Sequence, residues 1–73
     1  MNFRVTVTLK NGVLDPQGLA IEGALPAMGL DGIEAVRQGK VFDVAARDRE
    51  SVEALCERLL ANTVVEDYAI ESV

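Results

Sequence analysis

Histidine and tryptophan are absent, cysteine occurs once, and only three aromatic rings, Phe3, Phe42 and Tyr68, are spread over 73 residues. Without histidine the usual neutral-pH proton carrier and the commonest metal ligand are both missing. Zinc centres built on histidine, Ser-His-Asp triads and Cys-His dyads are excluded together. The single Cys56 cannot close an intramolecular disulfide and has no CxxC neighbour, so the chain is expected in a reducing, cytoplasmic setting. No apolar run approaches the roughly 20 residues that span a bilayer, and the start, Met1 to Thr6, alternates where a signal peptide would be continuously apolar. A membrane role and export are therefore not expected. Basic charge is also scarce, with 7 Lys+Arg against 12 Asp+Glu and a formal charge of -5, which argues against nucleic acid as a partner.

What is present reads as one folding domain. The hydrophobic fraction of 49% and charged fraction of 26% are those of a globular chain. A chain this short buries only about 60% of the surface its unfolded form exposes, so its own core is marginal and partners are expected.

The clearest segment is the first, where Phe3, Val5, Val7 and Leu9 alternate with Asn2, Arg4, Thr6, Thr8 and Lys10. That period of two predicts a half-buried strand. Asn11-Gly12 breaks it, and Asp15-Pro16 supplies a helix start: a carboxylate to cap free N–H groups and a proline where its missing N–H costs nothing. The helix that follows sets Ala20, Ile21, Ala24, Leu25 and Met28 on one stripe and stops at Gly29. Gly18 and Gly23 weaken it and Pro26 predicts a kink or an early end near Leu25.

Ile33 to Ala46 reads as extended chain, with Val36, Phe42 and Val44 on one face and Ile33, Ala35 and Val41 on the other. One long strand bent or bulged at Gly39 is preferred; a hairpin at Gln38-Gly39 is the second choice, because Gln38 is poorly suited to the positive φ it would need. Apolar residues on both faces make this strand a candidate subunit interface. The second helix starts at an Asp48 cap and carries Val52, Leu55, Cys56, Leu59 and Leu60 at helical spacing, with Asn62 as a left-handed stop. Val64 and Val65 lead into a last short strand with Tyr68 and Ile70 on one side. The expected fold is α+β: a two-layer β-α-β-α-β sandwich related to ferredoxin-like folds, with two helices on one face of a mostly antiparallel sheet.

No reactive site emerges from the residues. Cys56 falls on an apolar stripe and reads as a small buried hydrophobe, since a reactive thiolate needs an exposed electropositive setting. Glu66-Asp67 beside Tyr68, and Glu53 with Glu57 one turn apart, are the available carboxylate pairs, and both read as solvated surface. The glycines lack the GxxxxGK[ST] spacing of a phosphate loop, and Asp15 at the helix start would repel an anion. Arg4, Lys10, Arg37 and Lys40 would form a modest basic patch if the first two strands are neighbours.

Three stretches taken together are recognisable: Val5 to Gly18 (VTVTLKNGVLDPQG), Val36 to Lys40 (VRQGK) and Leu59 to Tyr68 (LLANTVVEDY). In this order and spacing the chain resembles the PurS-type small subunit of phosphoribosylformylglycinamidine synthase from end to end, departing only at Pro26 in a helix that is usually uninterrupted. The resemblance implies a place in the fourth step of de novo purine synthesis, where formylglycinamide ribonucleotide, ATP and glutamine give formylglycinamidine ribonucleotide, ADP, phosphate and glutamate. It implies no catalytic, cofactor or metal residue in this chain, with ATP and Mg acting on the synthetase subunit of the complex.

The implied role is that of an adaptor, a dimer or a dimer of dimers, which joins a PurL-type synthetase to a PurQ-type glutaminase and supports ammonia transfer. Two copies resemble the N-terminal domain of the large single-chain enzyme. The candidate contact residues are Asn11, Asp15, Gln17, Arg37, Lys40, Asn62, Glu66 and Tyr68, polar and turn-rich positions where the resemblance is densest; loops shaped only for folding are the alternative. A competing reading from another class is an ACT-like dimeric domain that senses a small molecule.

Overall fold

The computed structural model describes all residues, 1–73, with a three-stranded antiparallel sheet and two helices. β1 (Asn2–Leu9) is the central strand, flanked by β2 (Gly39–Ala45) and β3 (Glu66–Ser72) in the order β2-β1-β3. The alternation read from the sequence decides the faces. Phe3, Val5 and Val7 are 2%, 0% and 1% exposed and point into one layer, facing Val44, Phe42 and Lys40 across β2 and Ser72, Ile70 and Tyr68 across β3.

That layer is closed by α2 (Arg49–Leu55) and the π-helical turn Cys56–Leu60 that continues it. Asp48 caps the helix, its Oδ1 accepting the Ser51 N–H at 2.8 Å, which satisfies a donor that the first turn leaves free. Val52 and Cys56, both 0% exposed, and Ala61 complete the core with Phe3, Val5 and Val7. Cys56 is thus the small buried hydrophobe its stripe implied, and loss of water raises its thiol pKa above the ordinary value.

Two details of α2 differ from the expected stripe. The Ala61 N–H bonds the Cys56 carbonyl at 3.0 Å, five residues back, so the last turn is wider than an α-turn. The stripe rotates with it: half-buried Leu60 and buried Ala61 face the core, and Leu59 is 75% exposed. The helix then ends in extended backbone at Ala61, and Asn62 does not take the left-handed conformation expected of it, positive φ being confined to Gly12 and Gly29. Asn62 acts through its side chain instead, accepting the Val64 N–H at 3.2 Å.

α1 (Pro16–Ala24) starts as the sequence predicts, with Asp15 as cap and Pro16 in its first turn. It stops before Pro26, and a single 3₁₀ turn, Pro26–Met28, closes on Gly29 at φ 74. The helix adds no apolar side chain to the core. Its expected stripe lies open, with Ile21 44% and Met28 68% exposed and only Leu25 half-buried.

The second correction concerns Ile33–Ala46. Neither one long strand nor a hairpin forms: β2 begins only at Gly39, and Ile33–Gln38 is irregular chain. The cause is that Val36 and Gln38 give their N–H groups to α1 side chains and its cap rather than to a strand. Gly39 is instead the first residue of β2, and a Cβ there would lie 2.7 Å from the Val7 carbonyl oxygen, too close for any other residue without spreading β1 from β2.

The result is an elongated chain of 47 × 26 × 14 Å with a radius of gyration of 15.4 Å. A compact domain of this length would have about 11 Å. Its accessible surface is 5312 Å², some ~900 Å² more than the ~4,400 Å² of a compact monomer of its mass.

Candidate functional site

The site forms where β1 runs out. Gly12, at φ 86, turns the chain after Lys10, and the Val13 N–H closes the turn on the Lys10 carbonyl at 3.1 Å. Asp15 then does two jobs with one carboxylate: Oδ1 accepts the Gly18 N–H at 3.0 Å to cap α1, and Oδ2 accepts the Gln38 N–H at 2.6 Å. Residues 36–38 are strapped onto α1 by three further contacts. The Val36 N–H donates to Glu22 Oε2 at 3.0 Å, the Gln38 side-chain amide bonds that of Gln17, and Gly18 is buried under the Val36 carbonyl. Arg37, between them, reaches back to the end of β1 and donates from Nη2 to the Leu9 and Lys10 carbonyls at 3.1 and 3.4 Å.

The opposite wall comes from the chain entering β3. Asn62 orders that turn, its carbonyl accepting the Val65 and Glu66 N–H groups at 3.0 and 2.7 Å. Glu66 answers with Oε1, which accepts the Asn62 N–H at 2.7 Å, while Oε2 lies 3.6 Å from Lys40 Nζ. Lys40 and Glu66 therefore join the two outer strands across the end of β1.

Between these walls lies a groove of about 400 Å³, lined by Val7, Leu9, Asp15, Pro16, Gln17, Gln38, Gly39, Lys40 and Glu66. Of the eight residues singled out from the sequence, Asp15, Gln17, Lys40 and Glu66 line it directly. Arg37 and Asn62 brace its two walls, and Tyr68 sits half-buried on β3 opposite Val7. Asn11 is exposed in the turn beside it.

Gln38, Glu22 and Gly18 were not anticipated. Gln38 and Glu22 act by holding or offering single N–H groups, which leaves no periodic trace. The one available signal was that Gln38-Gly39-Lys40 leads into a strand.

The expected basic patch does not form, although β1 and β2 are neighbours. Arg4 lies on the open sheet face and bonds Asp43 at 3.0 Å, Lys10 pairs with Asp67 at 3.5 Å, and Arg37 and Lys40 are engaged as described. Each cation has an acceptor within the chain.

The chemistry open to this arrangement is recognition rather than reaction. Hydrogen bonds from the Gln38 and Gly18 backbone, with Arg37 nearby, hold the Asp15 carboxyl below its ordinary 3.8, so it is a poor base. Glu66 is occupied by Lys40 and Asn62, and the one thiol is buried elsewhere. No group of His, Cys, Asp or Glu side chains comes together as a metal-binding set.

A pH dependence follows from Asp15. A carboxylate whose pKa is lower folded than unfolded stabilises the fold at pH values above about 3.8, and that contribution is lost as pH falls through the folded value. Asp15→Asn keeps one acceptor for the cap and loses the second, so the variant melts below the wild type at pH 7. The gap between them narrows as the pH is lowered below 4, which thermal melts across that range would show. A gap of constant size would mean that the charge of Asp15 contributes nothing.

Comparison with known proteins gives a consistent picture. The family model for PurS, phosphoribosylformylglycinamidine (FGAM) synthase, matches residues 2–73. The chain is 45% identical over 73 residues to the phosphoribosylformylglycinamidine synthase subunit PurS of Bacillus subtilis, covering 93% of this chain and 87% of that one. It is 48% identical over 69 residues to the PurS subunit of Mycobacterium leprae, covering 90% and 87%. Among solved structures it is similar to the C2 crystal form of B. subtilis PurS, with a TM-score of 0.87 at 44% identity over 96% and 94% of the two chains. A chain of PurLQS from Thermotoga maritima matches with a TM-score of 0.83 at 31% identity over 99% and 95%.

Proposed function

The chain belongs to the PurS family of phosphoribosylformylglycinamidine synthase subunits, and we propose that within this enzyme it is the piece that holds two catalytic subunits together and carries no chemistry of its own. The observation that carries this reading is the surface excess of about 900 Å² over a compact monomer, close to the roughly 800 Å² that each partner contributes to a standard interface. A chain shaped in this way is completed by what it binds.

Its partners on this reading are a second copy of itself, a PurL-type synthetase subunit and a PurQ-type glutaminase subunit. A PurLQS assembly exists for the T. maritima relative. ATP and Mg²⁺ act on the synthetase subunit. The groove at the end of β1 is the contact to the larger subunits, with Asp15, Gln17, Lys40 and Glu66 as a rigid polar rim and exposed Asn11 beside it. The network that strips these groups of catalytic use is the same network that fixes their positions before a partner arrives, so little ordering is needed on binding.

The physical need for such an adaptor lies in ammonia, which in free solution diffuses away and is mostly protonated at neutral pH. Two active sites that exchange it must be kept in register with water excluded. No helix of the chain is long and apolar enough to cross a membrane. A lone buried thiol with no disulfide partner suits the cytoplasm.

The test is reconstitution of the synthetase and glutaminase subunits with and without this chain. Glutamine-driven formation of the amidine product is expected to need it, whereas synthesis from added ammonium salt continues without it. Equal glutamine-driven rates in both mixtures would overturn the proposal.

A further inference from the structure

β3 has a neighbour on one side only, and its other edge faces outward along the whole strand. The Val73 N–H bonds the Asn2 carbonyl at 3.0 Å and the Lys10 N–H bonds the Val65 carbonyl at 2.9 Å. Hydrogen-bonded pairs alternate along an antiparallel ladder, so Asp67, Ala69 and Glu71 turn their backbone groups toward β1, and Glu66, Tyr68, Ile70 and Ser72 turn theirs outward. Two outward groups are closed from within. The Glu66 N–H bonds the Asn62 carbonyl at 2.7 Å, and Arg49 donates from Nη2 to the Ile70 carbonyl at 3.1 Å. Tyr68 and Ser72 keep both their N–H and their C=O open.

The Arg49 bond also shows which side of α2 overhangs this edge. Arg49, Glu53 and Glu57 follow at four-residue spacing, with Arg49 Nε 3.5 Å from Glu53 Oε1. The row passes Tyr68, whose hydroxyl pKa is raised by loss of water and then by the charges of Glu57 and Glu53. On the opposite face of the strand, Asp67 and Glu71 flank Ala69. Lys10 answers Asp67 and Arg49 answers Glu53, whereas Glu57 and Glu71, both exposed, have no cation within ion-pair distance. On β2 both charges are matched, Asp43 by Arg4 and Lys40 by Glu66.

An unpaired strand edge takes up an extended segment: main-chain bonds supply affinity and side chains supply choice. Here the choice is for cations. A Lys or Arg laid along half-buried Tyr68 would cover the ring with its stem and place its charge by Glu57, and a second on the other face would meet Glu71. A second copy of β3 suits this edge poorly, since pairing along its full length about Ala69 sets Asp67 against Glu71 twice. The edge also begins at Glu66, which lines the groove at the end of β1. Edge and groove are one continuous surface.

We propose that the β3 edge receives a basic, extended segment of a catalytic subunit as an added strand, with Glu57 and Glu71 as its charge partners. This rests on the adaptor reading and names the edge and the chemistry of the segment.

The test mixes the chain with the synthetase and glutaminase subunits and follows amide exchange by NMR. The Tyr68, Ile70 and Ser72 amides are expected to exchange quickly in the free chain and slowly in the complex. The double variant Glu57→Lys, Glu71→Lys, altered only at exposed unpaired side chains, is expected to bind about tenfold more weakly and to lose the weakening by salt that the wild type shows.

A complex in which those three amides stay fast overturns the added strand while the adaptor reading stands. Undiminished binding of the folded double variant overturns the basic chemistry of the segment. If the double variant fails to fold, the wild-type exchange decides. Amides that slow with rising concentration of the chain alone assign the edge to a second copy, which also overturns the proposal. Absence of any complex removes the adaptor reading and this inference with it.

Discussion

Phe3→Ala is expected to cost about 3–5 kcal/mol and to leave the isolated chain largely unfolded at room temperature. A chain of 73 residues has roughly 4–11 kcal/mol of stability in total, so one such loss takes most of it. Phe3 is the largest of only six buried apolar residues, and it sits on the central strand, opposite Val44 on one side and Ser72 on the other. The cavity it leaves lies between β1 and α2, in the one layer that has a core, where no α1 side chain is at hand to collapse into it.

Urea denaturation followed by circular dichroism measures the effect. An unchanged midpoint would show that the Phe3 ring contributes little to the fold. Running the wild-type titration at several protein concentrations adds a second result. A midpoint that rises with concentration shows folding linked to self-association.

The second large effect runs against intuition. Glycine inside a helix is usually a weakness, and its replacement by alanine is worth about 0.5–1 kcal/mol in stability. Gly23 follows that rule, since a Cβ there would meet nothing within 4 Å, and Gly23→Ala is expected to raise the melting temperature. Gly18→Ala is expected to lower it by more than Gly23→Ala raises it. A Cβ on Gly18 would overlap the Val36 carbonyl oxygen and lie 2.8 Å from Asp15 Oδ2, both fixed parts of the strap.

Neither neighbour is the free end of a flexible side chain, so residues 36–38 must lift away from α1. The Gln38 bond to Asp15 and the Val36 bond to Glu22 go with them. Thermal melts of both variants side by side give the answer. Two rises would mean that the strap does not rest on α1.

These two cases show what the sequence could and could not announce. The face of β1 and the caps at Asp15 and Asp48 were legible because each depends on neighbours in the chain: alternation in one case, a side chain and an N–H three residues on in the other. Ile33–Gln38 was misread as strand because alternation looks the same whether the backbone pairs with a strand or with side chains of a helix. Leu59 was misplaced because a single wide turn after Leu55 shifts every later position around the helix axis.

The apolar stripe of α1 was read correctly as apolar, yet Ile21 and Met28 are exposed in the single chain. On the adaptor reading, their burial belongs to an assembly. In the site, the residues that the family resemblance marked are, Tyr68 apart, those whose side chains carry charge or two-ended amides. Those it missed, Gln38 and Glu22, carry such side chains too, but their roles rest on contacts with Asp15, Gln17 and Val36, and only the fold brings those partners together.

The central position of β1 has a consequence for the growing polypeptide. Its first residues pair with β3, nearly the full length of the chain away, so Phe3 has no partner on that side until Ser72 has been made. No local unit of this sheet can close early. Helical chains of this size gain most of their contacts between near neighbours; here both ladders of β1 join distant parts of the chain, and closing such loops slows folding. Deleting β3 would therefore do more than shorten the sheet: it would leave Val5 and Val7 facing water on the side where Ile70 and Tyr68 now stand, in a nascent chain with no second chance to cover them.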